Sequence, residues 1–488
     1  MLKRVTAIIL CALVLTSAIG CGTAQQPADV LMQNQTSEAA GATSEAAETK
    51  VSYSYPDKDY GGSDFVILNI EPIWDFYTYF DFENMTGDPI DDAIYNRNRA
   101  VEKQFNIKLH ETDIHMDKIV AALQKVILAG DTAYDVSYIP GNLINPLITE
   151  KQLADLMDMP DLKLDQPWWD QTVVADSILN NTLYFALCDI TLEGLQGAWV
   201  LYFNDDMMES LGLDKPYDLV RSGTWTYDRL AEYMKAGVNL NGDESFAFKD
   251  DGSCVYGMTS YEAGTAAMII GSGERYIKLD SGGTPYLALD NDRFYSVAQK
   301  IADILNTEGE YFSANDARPS LKAYDLIFQN ERALFLGAEI KATLISREME
   351  DNFGIVPYPK YEEAQTGYSA SLYQQLPLLC VPVTNPDYEK TGIILDALAY
   401  QSYTDTMPVF YNTTVSQKGL RNEDSVEMLG IIRESRFFDI GLAYGWTNDL
   451  WEKVRVKING GSADVASIIA KESEKVAAKI TKTMEKLG

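Results

Sequence analysis

The sequence predicts an α/β protein of two lobes, and three observations carry that reading. At 488 residues the chain is longer than one hydrophobic core comfortably serves, so two lobes with their own cores follow. Short apolar runs alternate with stretches of helical periodicity, the pattern of a parallel sheet layered with helices. Hydrophobic residues make up 46% and charged residues 23% of the chain, as in soluble globular proteins.

Phe65, Val66, Ile67, Leu68, Asn69 and Ile70 form a nearly unbroken apolar run, as a strand buried on both faces requires. Asp91 or Asp92 is placed to cap a helix over 91–105 with Ile94, Val101 and Phe105 inward. A second strand is predicted over 107–110, a helix over 116–129 ending at Gly130, and a third strand over 134–139. The alternation resumes with a strand at 201–203 and a helix at 205–211. Thr226 is the predicted cap of a further helix, and Trp225 before it packs the helix entry. Strands at 333–336 and 353–356 follow, then an amphipathic helix over 461–487 with Val465, Ile468, Ile469, Val476 and Ile480 on its inner face. In such a layered sheet, ligand chemistry belongs at the carboxyl ends of the strands.

The formal net charge is −32. Such acidity repels phosphate backbones, which excludes nucleic acid as a partner. Tyr is plentiful at 29 residues, with 7 Trp against only 2 His. That balance suits a protein that grips a ligand with aromatic faces better than one that moves protons or holds zinc. His110 and His115 read as surface residues, and no HExxH, nucleophile elbow or phosphate-binding glycine loop is present. Setting aside Cys11 and Cys21, the odd remainder of Cys188, Cys254 and Cys380 argues against a disulfide framework. These three read as small core residues.

The first 20 residues read as a secretory signal: Lys3 and Arg4, an apolar stretch over 5–15, then small residues. Ala18, Ile19, Gly20 and Cys21 are similar to a bacterial lipobox, with Ala18 where Leu is usual, which makes Cys21 the expected lipidation site. Residues 21–58 then form a flexible tether, rich in Ala, Gln, Ser, Thr and Glu and without apolar periodicity. The expected location is the extracytoplasmic face of the cell membrane, through a lipid anchor.

Several stretches in fixed order resemble a known family. They are 156–170, with Pro167, Trp168, Trp169 and Asp170; 200–204; 216–220 leading into Gly223, Thr224, Trp225 and Thr226; 354–359; and the Gly-Gly-Ser-Ala-Asp-Val-Ala start of the last helix. From about Phe65 to its end the chain is similar to extracellular solute-binding proteins of the family-1, carbohydrate type, related to maltose-binding proteins. The resemblance implies a two-lobed periplasmic-binding-protein-like fold with hinge crossings and an interlobe cleft that closes on sugar. It places crossings near 196–203, 352–360 and 407–417, one lobe over 59–200 plus 358–410 and the other over 201–357 plus 411–488. It also implies capture of a carbohydrate, an oligosaccharide, for an ABC importer. The partners are then permease subunits driven by a cytoplasmic ATPase, and the chain works as a monomer without catalysis.

A pyranose offers an apolar C–H face and a rim of hydroxyls, so its site needs aromatic rings together with carboxylates and amides. Residues near predicted strand ends or the implied crossings that match cleft segments of the family are Tyr138, Asn142, Gln196, Trp199, Glu339, Tyr373 and Gln374, with Tyr261 and Glu262 in a loop of the second lobe and Tyr444 and Trp446 in the family's late aromatic segment. Each aromatic has packing as its plain alternative. Trp168 and Trp169 are adjacent and in extended chain face opposite ways, so at most one reaches ligand. Trp74 is a further candidate.

No cofactor is required. Asn239, Asn241, Asp243 and Asp250 approximate the oxygen spacing of an EF-hand-like loop for a structural calcium, although Asn239 replaces the first Asp and Glu244 the turn glycine. The alternative is an Asx-rich surface turn. Among rival functions, a secreted glycoside hydrolase needs a paired acid and base, and an adhesin needs repeats or β-rich modules. Clustered metal ligands are absent, whereas a peptide or polyol remains an alternative ligand.

Overall fold

The computed structural model describes residues 53–72, 77–313, 323–343, 349–415 and 423–488, with the backbone alone at 323–325 and 415. The signal, Cys21, most of the tether, Trp74 and Gln417 lie outside the described residues. Strands run in the order β1 (Ser63–Ile70), β2 (Ile107–Ile114), β3 (Val136–Pro140), β4 (Trp199–Asn204), β5 (Tyr256–Ser260), β6 (Ile277–Leu279) and β7 (Pro285–Leu287). They continue with β8 (Tyr311–Ser313), β9 (Ala333–Glu339), β10 (Phe353–Pro357), β11 (Ala370–Ser371), β12 (Pro377–Cys380) and β13 (Arg436–Phe437).

Two larger sheets organise the molecule, in the orders β12-β3-β1-β2 and β10-β4-β9-β5-β8. Each has a parallel core, as the alternation predicts, but neither is wholly parallel. In the first, β1 runs parallel to β2 and β3, while β12 returns antiparallel with Pro377 opposite Pro140. In the second, β5 is parallel to β8 and β9, and β4 lies antiparallel between β9 and β10. The antiparallel members are the segments on which the chain changes sheet, after β3 and again after β10. A strand arriving from the other sheet has no crossover helix to fix its direction, so the parallel rule does not bind it.

Local signals explain the helices. The helix Pro89–Phe105 starts earlier than Asp91: Asp88 is its cap, accepting from the amides of Ile90 at 2.8 Å and Asp91 at 3.3 Å. Pro89 takes the first position, where a missing N–H costs nothing. Its buried face carries Arg97, whose guanidinium donates to the carbonyls of Ile190 and Phe80 and to the Ser402 hydroxyl. Trp225 is fully buried, as predicted, and its indole donates to the Pro357 carbonyl at 3.0 Å. Thr226 occupies the cap position of Tyr227–Gly237 without a side-chain cap bond. The last helix is Ala466–Leu487 rather than 461–487, because Gly461, at φ 75°, follows a separate helix, Asn448–Asn459. Val465, Ile469, Val476 and Ile480 are buried as expected, and Ile468 is half-buried.

Trp168 and Trp169 do not face opposite ways. Both are buried and both indoles donate to one carboxylate oxygen of Asp396, at 2.8 and 3.1 Å. The segment is turned rather than extended there, the Trp169 amide reaching back to the Gln166 carbonyl. Tyr53 and Tyr55, expected in the tether, pack on the body: Tyr53 stacks on Tyr400 at 5.1 Å and Tyr55 donates to Gln401. Cys188, Cys254 and Cys380 are free and buried.

Candidate functional site

The three interior strands of the second sheet meet at one end of it. β4 begins there with Trp199, opposite Glu339 at the end of β9 in register. Neighbouring β5, parallel to β9, delivers Tyr261 directly after its last residue. The indole of Trp199 and the phenol of Tyr261 lie 5.2 Å apart, tilted by 51°. The Tyr261 hydroxyl donates to Oε1 of Glu339 at 2.8 Å. Burial pushes the Glu339 carboxyl above its usual range, against the bond from Tyr261, which favours the charged form.

Glu262 opens the helix Glu262–Gly271, which packs on Asn448–Asn459. Arg455 of that second helix brings Nη1 to 3.3 Å from Glu262, is also paired with Glu452, and lies over the Trp451 ring at 4.5 Å. The segment between β11 and β12 closes the group from the other side. Tyr373 donates its amide to the Gly197 carbonyl at 3.1 Å and its hydroxyl to Gln375 at 2.8 Å. Burial raises the Tyr373 phenol to about 12, the carboxylate of Glu339 adding to the rise and Arg455 opposing it. From the loop between β1 and the helix Pro89–Phe105, Tyr77 donates to the Gln375 carbonyl at 2.9 Å, and Glu193, at the start of the helix Glu193–Gln196, accepts both the amide and the hydroxyl of Thr78 at 2.8 Å.

Gln196, whose carbonyl accepts from the Lys341 amide at 3.1 Å, thus falls into one neighbourhood with Trp199, Tyr261, Glu262, Glu339 and Tyr373. Tyr261, Glu262, Glu339, Tyr373 and Gln374 are half-buried, whereas Gln196 and Trp199 are buried. Asn142 and Gln374 adjoin it through the Asn142 amide on the Gln374 carbonyl, and the Asn142 carbonyl accepts from Asn448 at 3.4 Å. The remaining three do not join. Tyr138 is 1% exposed in β3, packed near Phe80. Tyr444 and Trp446 stack on each other at 4.7 Å, and Trp446 donates to Thr483 of the last helix. Their family position suggested a ligand face; here that face is spent on each other and on the core.

Sequence reasoning missed Tyr77, Glu193, Gln375, Trp451 and Arg455. Trp451 and Arg455 are spaced by one helical turn, a signal that reads equally as a surface pair. The Asn239 loop holds itself together: Asn239 accepts from the Asn241 amide at 2.8 Å, and Asp243 accepts from Ser253 and Cys254 at 2.7 and 2.8 Å. Those oxygens serve an Asx turn, Asp250 is exposed, and among the described residues no three His, Cys, Asp or Glu side chains gather as metal ligands. Nor is any helix there long and apolar enough to cross a membrane.

Solved structures share this architecture. The cyclic α-maltosyl-1,6-maltose binding protein from Arthrobacter globiformis matches with a TM-score of 0.56 at 13% identity, over 86% of this chain and 99% of that one. A cyclo/maltodextrin-binding protein complexed with maltotetraose gives 0.54 at 13% identity, over 90% and 99%. An ABC substrate-binding protein from Listeria monocytogenes in complex with cycloalternan gives 0.51 at 13% identity, over 88% and 99%. No protein-family model and no curated protein matches the chain. Coverage of nearly the whole of each neighbour leads to one conclusion: the chain has the two-lobed α/β fold of sugar-binding ABC substrate-binding proteins.

Proposed function

We propose that this chain is a carbohydrate-binding protein that captures an uncharged oligosaccharide outside the cell and hands it to an ABC importer. The observation that carries the reading is the Trp199–Tyr261 ring pair, with Glu339 accepting from the Tyr261 hydroxyl, at one end of the second sheet. A phenol face covers sugar C–H groups, and the carboxylates and amides around it accept from or donate to the hydroxyl rim. The charge of the neighbourhood selects further. Glu193, Glu262, Glu339 and Glu452 outnumber the cations Arg455 and Lys341, so an anionic sugar meets repulsion and a neutral one does not. The solved neighbours whose names record maltotetraose, cycloalternan and a cyclic maltosyl-maltose support the same ligand class. The lipid anchor at Cys21, the monomeric state and the permease with its ATPase belong to this reading. The lobes are 59–200 plus 358–410 and 201–357 plus 411–488, closing about the cleft.

Thermal unfolding with a panel of neutral oligosaccharides, acidic oligosaccharides and peptides tests it, because a ligand of the native state raises the midpoint. A rise with a neutral oligosaccharide is expected, with the sugar recovered unchanged and the rise lost in Tyr261→Ala. A rise with peptides alone, or hydrolysis of the sugar, would overturn the proposal.

A further inference from the structure

The helix Tyr388–Gln401 runs on past its regular part: it widens into a π turn at Ser402–Thr406 and resumes as the helix Met407–Val415. The sequence supplies the cause in Pro408. Proline has no N–H for the Thr404 carbonyl and its ring crowds that oxygen, so a regular α-helix does not pass through. A wider turn accommodates it. Ser402 and Thr404 also turn their hydroxyls back on the carbonyls of Leu398, at 2.7 Å, and Tyr400, at 3.1 Å, bonds of a kind that bend helices. Thr406 is buried, and its hydroxyl has no hydrogen-bond partner among the described residues. The turn is a weak point in a long helical run. It leads into the third crossing between the lobes, a placement that rests on the two-lobed reading proposed above.

On the outside, the amino-terminal end of the described chain lies along this same helix. Lys58 pairs with Glu389 in its first turn at 2.7 Å, and the Tyr60 amide donates to the Phe105 carbonyl at 2.9 Å. At the other end Tyr55 donates at 2.6 Å to Gln401, the last residue before the π turn, and Gln401 in turn donates to Asp405 within it. Three rings converge on Tyr400: Tyr53 stacks on it at 5.1 Å, Tyr55 meets it edge-on at 6.0 Å and Trp168 at 5.3 Å. Lys163 sits over the Tyr53 ring at 4.3 Å. From the core side, the buried guanidinium of Arg97 donates to the Ser402 hydroxyl at 3.2 Å. The π turn is thus held from within by Arg97 and from the surface by Tyr53 and Tyr55.

We propose that residues 53–60 are a strap that splints this π turn. Docked, the strap keeps the first-lobe side of the turn rigid; lifted, it lets the helix bend there. Ring pairs and a cation over a ring fasten it at modest strength, so it docks and releases without unfolding either helix. The strap is continuous in sequence with the stretch that carries Cys21, so a pull on the amino terminus reaches the bend through Tyr53 and Tyr55.

Hydrogen exchange of the folded protein, read by mass spectrometry, tests this with no ligand present. In Tyr53→Ala, Tyr55→Ala the amides over 398–406 are expected to exchange ~10-fold faster than in the parent, while β1 and β2 keep the parent's rates. Tyr55→Phe keeps the ring and deletes only the bond to Gln401. It is expected to give a smaller acceleration in the same peptides, and it carries the test if the double variant fails to fold. Parent rates at 398–406 in the folded variants, or an acceleration shared equally by β1 and β2, would overturn the inference.

Discussion

At Asp396 a single buried carboxylate holds two indoles. It is fully buried, with Trp168 and Trp169 donating to the same oxygen and Lys163 3.9 Å from the other. Burial raises its pKa, and the two indole bonds work against that rise by favouring the charged form. Removing the carboxylate leaves two N–H groups stranded in the core, and each such group costs about 1–3 kcal/mol. Asp396→Ala should therefore lose roughly 2–5 kcal/mol in urea unfolding, and Asp396→Asn, which keeps an acceptor, clearly less. Equal losses in the two variants would mean that volume rather than hydrogen bonding governs the position. Sequence placed both tryptophans among the recurring segments of the family but assigned their directions from an extended chain. Their convergence depends on Asp396, more than two hundred residues away, and nothing local announces such a partner.

Asp439 plays the comparable part between elements. It caps the short helix Ile440–Ala443 through the Gly441 amide at 2.9 Å and also accepts the amides of Tyr276 at 2.9 Å and Ile277 at 3.3 Å. One side chain thus fixes the entry to β6 against the segment that carries Tyr444 and Trp446. Asp439→Ala is expected to cost roughly 2–4 kcal/mol and to speed hydrogen exchange at the Tyr276, Ile277 and Gly441 amides, leaving β1 and β2 unchanged. Unaltered exchange at those three amides would show that the hairpin is held by other contacts. At this scale the sequence was most informative. β1, β4, β9, β10 and the helix Asp205–Leu211 were legible because apolar runs and periodicity are local properties. The antiparallel setting of β4 and β12 was not, since strand direction is decided by where the chain changes sheet. The site divides in the same way. Glu339 lies just past a strand that the apolar pattern locates, and the family resemblance supplied Trp199 and Tyr261, whereas β5, which carries Tyr261, and the elements that bring Tyr77 and Arg455 were not legible. Trp446 lies apart from the other candidates because a family position fixes a segment, and the stacking of its ring on Tyr444 is a tertiary event.

Across the whole molecule, buried carboxyls set the response to pH. Burial raises Asp439 to about 6 and Glu111 to about 7, with Asp113 nearby adding to the second shift. Glu193, Glu339, Asp189 and Asp135 are shifted the same way by the same cause. For an acid with a raised folded-state pKa, the native protein binds more protons than the unfolded chain between the two values. Its contribution to stability is complete below the unfolded pKa, near 4, and is lost as pH rises through about 6 to 7. Each such group can supply up to ~1.4 kcal/mol per pH unit inside that window. The self-repulsion of a chain with net charge −32 acts in the same direction, so a second variable is needed to separate them. Glu111 provides it. Its carboxylate accepts from the amides of Phe80 and Asp81, at 2.7 and 2.9 Å, and from Asn69 at 2.7 Å, beside the segment that leads from Tyr77. Glu111→Gln removes the titration while making the net charge less negative by only one unit. The parent protein should unfold at a higher temperature at pH 5.5 than at pH 8, and in Glu111→Gln that difference should shrink measurably. If the slope in the variant matched that of the parent, general charge repulsion alone would account for the pH response, and Glu111 would have no special part in it.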